Sequence, residues 1–329
     1  MKKIALITMG GTISAKGNHR CDMKDYRSGL LSGEEFLNYL PEINELANIK
    51  IFSNDNISST QINEKHWIQL KEQINCLTNE EGYDGIVITH GTNTIEETAY
   101  FLHLTVNTNK PIVLVGAQRP FTALSSDTHI NLINAVRVAI DASSKGKGVI
   151  VAINNEIHSA REITKTDTYS LETFQSGKVG PLGFIDADNS VQYYRLPTRL
   201  HTENSEFIDI NFNDLSKIEI VYSYAGATGN LIDYITESKK YSGIVVAGTG
   251  AGRFSKYEEE ALHRARKSDL MIVRSSRVGH GRVVSISPYE DLDSVSSDNL
   301  TPQKARILLM LTLARYKNTK DIQRIYNEY

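Results

Sequence analysis

Short apolar runs alternate along the chain with segments of helical periodicity, and most of the runs end at a glycine or in a polar loop. In one helical segment Ile95, Ala99 and Leu102 recur at i, i+4 and i+7, which places them on one helix face. Continuous apolar strands between helices are typical of a parallel sheet covered on both faces. The pattern therefore predicts an α/β fold. In the first half it predicts strands over residues 4–8, 85–89, 111–117 and 148–154 and a helix over 127–142.

The alternation stops between residues 196 and 216, where the chain is polar and contains Pro197 and His201. It resumes with predicted strands over 218–225, 243–248 and 270–274 and with a helix from Pro302 to Arg315, where proline occupies the first helical position. A length of 329 residues suits about two domains. We therefore predict a larger, mostly parallel α/β domain with flanking helices and a smaller C-terminal α/β domain. The predicted bounds are 1–195 for the first domain, 196–216 for the linker and 217–329 for the second domain.

Charge and composition exclude several classes of protein. The 36 Lys and Arg residues against 39 Asp and Glu residues give a net charge of −3, which argues against a general nucleic-acid binder. No apolar run reaches the roughly 18 residues of a membrane helix. The apolar start, residues 4–9, is too short for a signal peptide, so a cytoplasmic protein is the simplest reading, although a mature exported form would look the same. Cys21 and Cys76 match no metal or redox motif, and we expect two free thiols.

Two loops that follow predicted strands combine glycine with threonine: residues 10–12 and residues 90–92. Sites in parallel sheets lie beyond the carboxyl ends of the strands, and glycine lets a ligand approach the backbone closely. Turn glycines and capping threonines explain the same residues without any function, so both interpretations stay open on these motifs alone. Thr94 and Glu97 have the spacing of a capping box, and His90 is expected to make structural hydrogen bonds.

Taken together, several segments resemble the bacterial L-asparaginase/glutaminase family, the type I/II enzymes with a threonine nucleophile. Residues 9–14 are similar to the family signature T-G-G-T-I-A, and residues 90–99 are similar to H-G-T-D-T-x-E-E-T-A with one change. Further similar segments are 116–120, 164–166, 273–277 and 302–306, and the resemblance runs from about Ile4 to Tyr329.

The resemblance implies an amidohydrolase that converts L-asparagine to L-aspartate and ammonia through a threonine acyl-enzyme. It implies a small-molecule amide substrate, no cofactor, no metal, and neither a nucleic-acid nor a membrane partner. It also implies a homotetramer with each site at a dimer interface. An archaeal glutamyl-tRNA amidotransferase subunit of the same fold is disfavoured, because those chains carry an extra N-terminal domain and this chain has no basic excess.

The same resemblance assigns roles to single residues. Thr12 matches the nucleophile, and Tyr26 matches a tyrosine of a mobile lid that helps to activate that threonine. Thr92 and Lys165 match a second Thr-Lys pair beside the substrate.

Substrate-binding residues follow from the matched segments. Ser59 matches a serine that holds the α-carboxylate of the substrate, and Thr60 follows it where some relatives have glutamine. Gly11 and Gly91 belong to the two matched loops and are expected to line the substrate. Glu290 matches an acid that a neighbouring subunit sends into the site.

Asn93 stands where the family has the aspartate of H-G-T-D-T, which pairs with the α-ammonium and completes a Thr-Lys-Asp network. Asparagine accepts hydrogen bonds but supplies no charge, and an unpaired ammonium costs about 2–5 kcal/mol. Four explanations are open. The chain is an asparaginase that recruits its charge elsewhere, for example from Glu290; its substrate is an asparagine derivative without a free α-amino group; Asn93 was engineered to trap a complex; or the chain binds without efficient turnover, as a regulator does.

Overall fold

The computed structural model describes residues 1–27 and 29–329 and divides the chain into two compact units, Met1–Ile208 and Asp209–Tyr329. The division falls within the polar stretch 196–216. Each unit has its own sheet and its own flanking helices, which confirms the predicted α/β class.

The first unit is built on an eight-stranded sheet with strand order β10-β9-β6-β5-β4-β3-β1-β2. Strands β2, β1, β3, β4 and β5 are parallel. Strands β6, β9 and β10 follow β5, and each is antiparallel to the strand before it, so that β9 runs in the same direction as β5. The eight strands are β1 (Lys3–Thr8), β2 (Asn48–Ser53), β3 (Gly85–Thr89), β4 (Ile112–Val115), β5 (Val149–Ile153), β6 (Glu156–Ser159), β9 (Gly183–Ile185) and β10 (Val191–Tyr193). A separate antiparallel pair joins β7 (Thr164–Lys165) to β8 (Phe174–Gln175).

The described residues of this unit form the α-helices α1 (Gly33–Tyr39), α2 (Glu42–Leu46), α3 (Glu64–Asn75), α4 (Ile95–Thr105) and α5 (Thr128–Ile140). Strands β3, β4 and β5 are buried along their whole length, because helices cover both faces of the parallel sheet. Leu6, Val87 and Val113 from neighbouring strands pack with Leu132 and Val136 of α5 in one apolar core.

The second unit carries a four-stranded parallel sheet of order β11-β12-β13-β14. Its elements are β11 (Ile218–Tyr222), α6 (Asn230–Ser238), β12 (Gly243–Gly248), α7 (Lys256–Lys267), β13 (Met271–Ser276), β14 (Val295–Ser296), α8 (Pro302–Thr312) and α9 (Thr319–Glu328). The helix predicted from Pro302 to Arg315 ends at Thr312, three residues earlier.

Two smaller findings bear on the sequence-based expectations. Cys21 and Cys76 are free thiols, as their spacing predicted. Within the described residues, no helix combines the length and the apolar character needed to cross a membrane.

Candidate active site

Two loops leave the sheet side by side at the carboxyl ends of β1 and β3, where Thr8 lies in register with Thr89. We call residues 9–14 the Thr12 loop and residues 90–94 the Thr92 loop. Gly11 has φ 91°, and a Cβ placed on it would lie 2.3 Å from the Gly91 Cα. Because of that contact and of its left-handed backbone, only glycine fits at position 11. The close approach of Gly11 to Gly91 brings the two threonines that follow them into one site.

Thr12 opens a short 3-10 turn, Thr12–Ser14, and its side chain is largely buried. Its Oγ1 lies 3.1 Å from the hydroxyl oxygen of Tyr26. Tyr26 belongs to a polar segment that Lys16 and Arg27 close through an antiparallel bridge. The structure therefore places Tyr26 against Thr12, as the family resemblance implied.

Thr92 is paired with Lys165, which lies in β7. The Lys165 Nζ donates a hydrogen bond of 3.0 Å to the Thr92 Oγ1. Thr92 is only 5% exposed, so this hydroxyl–amine contact is largely shielded from solvent. The second predicted pair is thus in direct contact, although its members are 73 residues apart in the chain.

Two carboxylates surround Lys165, and the sequence analysis did not assign a role to either. Glu96, in the first turn of α4, accepts the backbone N–H of Lys165 at 2.7 Å. Burial lowers the pKa of the Lys165 ammonium, while the charges of Asp167 and Glu96 oppose that shift. The net shift is towards a lower pKa, which is the direction that a proton relay through this amine needs.

His90 fastens the Thr92 loop to the helices behind it. Its ring is fully buried, and burial lowers its pKa to about 4, so the imidazole is neutral at pH 7. The Nδ1 lies 2.8 Å from the Gly91 carbonyl oxygen, which only accepts, so Nδ1 carries the proton. The Nε2 therefore accepts from Thr98 Oγ1 at 2.9 Å, and that oxygen accepts the indole N–H of Trp67 at 2.9 Å. Each donor in this series of hydrogen bonds has a defined acceptor, as expected for a structural histidine.

Ser59 meets the Thr92 loop from a third segment. Its hydroxyl lies so near Gly91 that a Cβ there would be 2.6 Å from the Ser59 Oγ. The Thr94 hydroxyl donates to the Ser59 carbonyl at 2.8 Å and makes no cap hydrogen bond to α4. The capping box predicted from Thr94 and Glu97 is therefore wrong, because the threonine hydroxyl serves the neighbouring loop instead.

The remaining predicted residues are more exposed. Thr60 is on the surface, with its hydroxyl 2.9 Å from that of Ser58. Asn93 is exposed in the turn between Thr92 and Thr94. Glu290 is exposed in the second unit, directly after the turn Ser287–Tyr289.

Glu96 is the functional candidate that the sequence analysis missed. An acidic residue in the first turn of a helix is ordinary, because it interacts favourably with the helix dipole, so no local pattern marked Glu96 for a role. Within the described part of the chain, no three His, Cys, Asp or Glu side chains are grouped as metal ligands.

Comparisons with known proteins agree with this arrangement. Residues 3–199 match the family model "Asparaginase, N-terminal", and residues 217–326 match the "Glutaminase/Asparaginase C-terminal domain". The chain is 39% identical over 329 residues to "L-asparaginase 2" of Bacillus subtilis, covering 100% of this chain and 87% of the relative. It is 40% identical over 331 residues to "L-asparaginase 2" of Escherichia coli, covering 100% and 94%.

The fold matches a solved structure over its whole length. The crystal structure of the "Probable Cytoplasmic L-asparaginase from Campylobacter jejuni" superposes with a TM-score of 0.96 at 39% identity and covers 100% of both chains. With two family models spanning most of the sequence, the chain belongs to the asparaginase/glutaminase family.

Proposed function

We propose that this protein hydrolyses the side-chain amide of L-asparagine to L-aspartate and ammonia, with Thr12 as the nucleophile. One observation carries the proposal. Two buried threonines lie on adjoining loops, and each contacts a polar partner: Thr12 contacts Tyr26, and Thr92 contacts Lys165. Family membership supports the same reaction, and the site needs no cofactor for it.

In the acylation step the Thr12 Oγ1 attacks the amide carbon. A threonine hydroxyl is a weak nucleophile at neutral pH and needs a neighbouring group to take its proton. The Tyr26 hydroxyl, 3.1 Å away, is suited to orient the Thr12 hydroxyl for that transfer through a hydrogen bond. The C–N bond breaks as the nitrogen receives a proton, and ammonia leaves behind a β-aspartyl ester on Thr12.

The Thr92–Lys165 pair suits the movement of protons around this centre. A neutral Lys165 amine accepts the proton of the Thr92 hydroxyl while the Thr92 oxygen accepts a proton from the attacking water molecule. Water then attacks the ester carbonyl, the Thr12 oxygen is released with a proton, and aspartate departs. Backbone N–H groups near Gly11 and Thr92 are suited to stabilise the oxyanion of each tetrahedral intermediate.

We assign substrate binding to Ser59 and to the loops that contain Gly11 and Gly91. The buried Ser59 hydroxyl beside Gly91 suits the α-carboxylate of asparagine, and the absence of side chains at Gly11 and Gly91 lets the two loops and Ser59 lie in contact. Thr60 and Asn93 flank this region as neutral hydrogen-bonding groups. Asn93 contacts the α-ammonium through its amide oxygen, without a charge of its own.

The assembly and location form part of the proposal. We infer a homotetramer in which Glu290 of one copy approaches the site of another, so that a carboxylate from the neighbour faces the α-ammonium. We also infer a cytoplasmic location, which the name of the Campylobacter relative supports.

The test is ammonia release from L-asparagine by the parent protein and by Thr12→Ala, with Thr12→Ser as the matched control that keeps a hydroxyl. We expect Thr12→Ala to lose at least about a thousandfold in kcat, since removal of a nucleophile has effects of that size, while Thr12→Ser keeps part of the activity. Thr12→Ala activity above about a tenth of the parent would exclude Thr12 as the nucleophile.

A second arm addresses Asn93. The parent and Asn93→Asp are assayed on L-asparagine and on N-acetyl-L-asparagine. We expect the parent to cleave free asparagine and Asn93→Asp to cleave it about tenfold more efficiently, because a charged partner strengthens the contact with the ammonium. A parent that prefers the acylated substrate would instead identify an amidase that does not use the α-amino group.

A further inference from the structure

We propose that Glu96 is a positioning residue for Lys165 and that its negative charge, of the kind that Asn93 does not provide, sets the pH at which the Thr92–Lys165 pair exchanges a proton. The inference rests on the proposed function, in which Lys165 exchanges a proton with Thr92.

The geometry ties Glu96 to both ends of that pair. Its Oε2 accepts the Lys165 backbone N–H at 2.7 Å, and the Nζ of the same lysine reaches the Thr92 Oγ1 at 3.0 Å. Glu96 is also the second residue of α4, the helix that begins directly after the Thr92 loop. One carboxylate therefore fixes the distance between the strand that carries the amine and the loop that carries the hydroxyl.

The surroundings favour Glu96 as a charge as well as an anchor. Glu96 is 5% exposed, so its interaction with Lys165 is weakly screened. A negative charge in the first turn of a helix also interacts favourably with the helix dipole. Its charge acts together with that of Asp167 to keep the pKa of the Lys165 ammonium from falling as far as burial alone would bring it.

Asp167 differs from Glu96 in its setting. Its carboxylate is exposed and accepts the backbone N–H groups of Tyr169 and Ser170 at 2.8 Å each. Its charge opposes the lowering of the Lys165 pKa more strongly than that of Glu96 does, but its oxygens are used to hold a turn. Of the two acids that face Lys165, Glu96 is the one that also binds the lysine backbone.

The direction in which the Glu96 charge shifts the pH dependence of kcat follows from the proton that Lys165 must lose. The relay needs the neutral amine, so kcat rises as pH increases through the pKa of Lys165. Glu96→Gln removes a negative charge but keeps an oxygen that accepts the Lys165 N–H. Without that charge the ammonium loses its proton more readily, and the rising limb of the pH–kcat profile moves to lower pH.

The experiment compares pH–kcat profiles for the parent, Glu96→Gln and Glu97→Gln. Glu97→Gln is the matched control, because it removes the same charge from the same turn of α4, one residue further on. A shift to lower pH in Glu96→Gln that is larger than in Glu97→Gln supports the proposal. An unshifted Glu96→Gln profile, or equal shifts in both variants, overturns it.

Glu96→Asp keeps the charge and shortens the side chain, so it separates charge from position. We expect the rising limb of the pH–kcat profile to stay near that of the parent. We expect kcat to fall roughly tenfold, because the shorter side chain loses the charge-assisted hydrogen bond to the Lys165 N–H. A parent-like kcat in Glu96→Asp would contradict the positioning role, and this variant also serves if Glu96→Gln does not fold.

A readout that does not need turnover keeps the two proposals distinguishable. In a Thr12→Ala background, the rate at which acetic anhydride acetylates Lys165 is followed by mass spectrometry across pH, with and without Glu96→Gln. The proposal expects faster labelling at lower pH when Glu96 is neutralised, and unchanged labelling overturns it. If Thr12→Ala and Lys165→Met remain active, the proposed function fails, whatever the labelling shows.

Discussion

The two threonine loops face one site, but their partners are held in different ways. Tyr26, the partner of Thr12, is half-buried in a mostly exposed polar segment that a bridge between Lys16 and Arg27 closes. Lys165, the partner of Thr92, lies in a strand whose backbone is bonded to a buried glutamate. A nucleophile must be uncovered to admit substrate, whereas a proton relay gains from a fixed distance. The contrast suggests one partner that moves with substrate and one that stays in place.

The largest expected effect comes from breaking the fixed pair. Lys165→Met keeps most of the length of the side chain but removes the amine that contacts Thr92. We expect kcat on L-asparagine to fall by about 10²–10⁴, the range over which a positioned acid or base contributes. Steady-state ammonia release measures it, with Lys178→Met, an exposed lysine of the same unit, as the control. Near-normal turnover would show that Lys165 is only structural.

A second prediction concerns the anchor of the Thr92 loop. Burial holds the pKa of His90 near 4, so the folded protein does not take up the proton that the unfolded chain binds below about 6.5. The stability from neutral His90 is complete above pH 6.5 and is lost as pH falls toward 4. Between pH 7 and pH 5 this group should lower the free energy of unfolding by about 2 kcal/mol.

Urea unfolding of the parent and of His90→Gln at both pH values tests that loss. Other buried histidines titrate in both proteins, so the informative quantity is the difference between the two pH dependences. The parent should lose more stability than His90→Gln. Equal losses would contradict a neutral, buried His90.

The smallest effect is expected at the movable partner. Tyr26→Phe removes one neutral hydroxyl contact with Thr12, and such a hydrogen bond contributes about 1 kcal/mol, or roughly fivefold in kcat/KM. Steady-state kinetics with Tyr194→Phe as control, an exposed tyrosine of the same unit, measures the change. A loss as large as that of Lys165→Met would remove the distinction between the two pairs.

The sheet could be predicted where burial is complete. Strands β3, β4 and β5 are buried at every position, and all their residues except Gly85 and Thr89 are apolar, so these runs are recognisable in the sequence. Strand β2 alternates exposed and half-buried residues, and β10 is short and half-exposed, so neither stands out as a continuous apolar run. The alternation of apolar runs and helices predicts parallel strands only. It does not predict β6, β9 and β10, each of which is antiparallel to its neighbour.

The site was predictable only in part. The glycine-threonine loops stand out because each follows an apolar strand, and the resemblance then supplied Tyr26, Lys165 and Ser59. The burial of Glu96 and its bond to a backbone 69 residues away depend on tertiary packing, which no local pattern reports. The hydroxyl of Thr94 also turned to a loop that is distant in sequence instead of capping its own helix.

The most direct test of the account is to find which threonine carries the acyl group. The parent and Lys165→Met are mixed with saturating L-asparagine, quenched in acid after milliseconds to seconds, digested and analysed by mass spectrometry. We predict an aspartyl ester on the peptide that contains Thr12, and none on the peptide that contains Thr92. An ester on Thr92, or a burst of ammonia with Thr12 unmodified in both proteins, would contradict it.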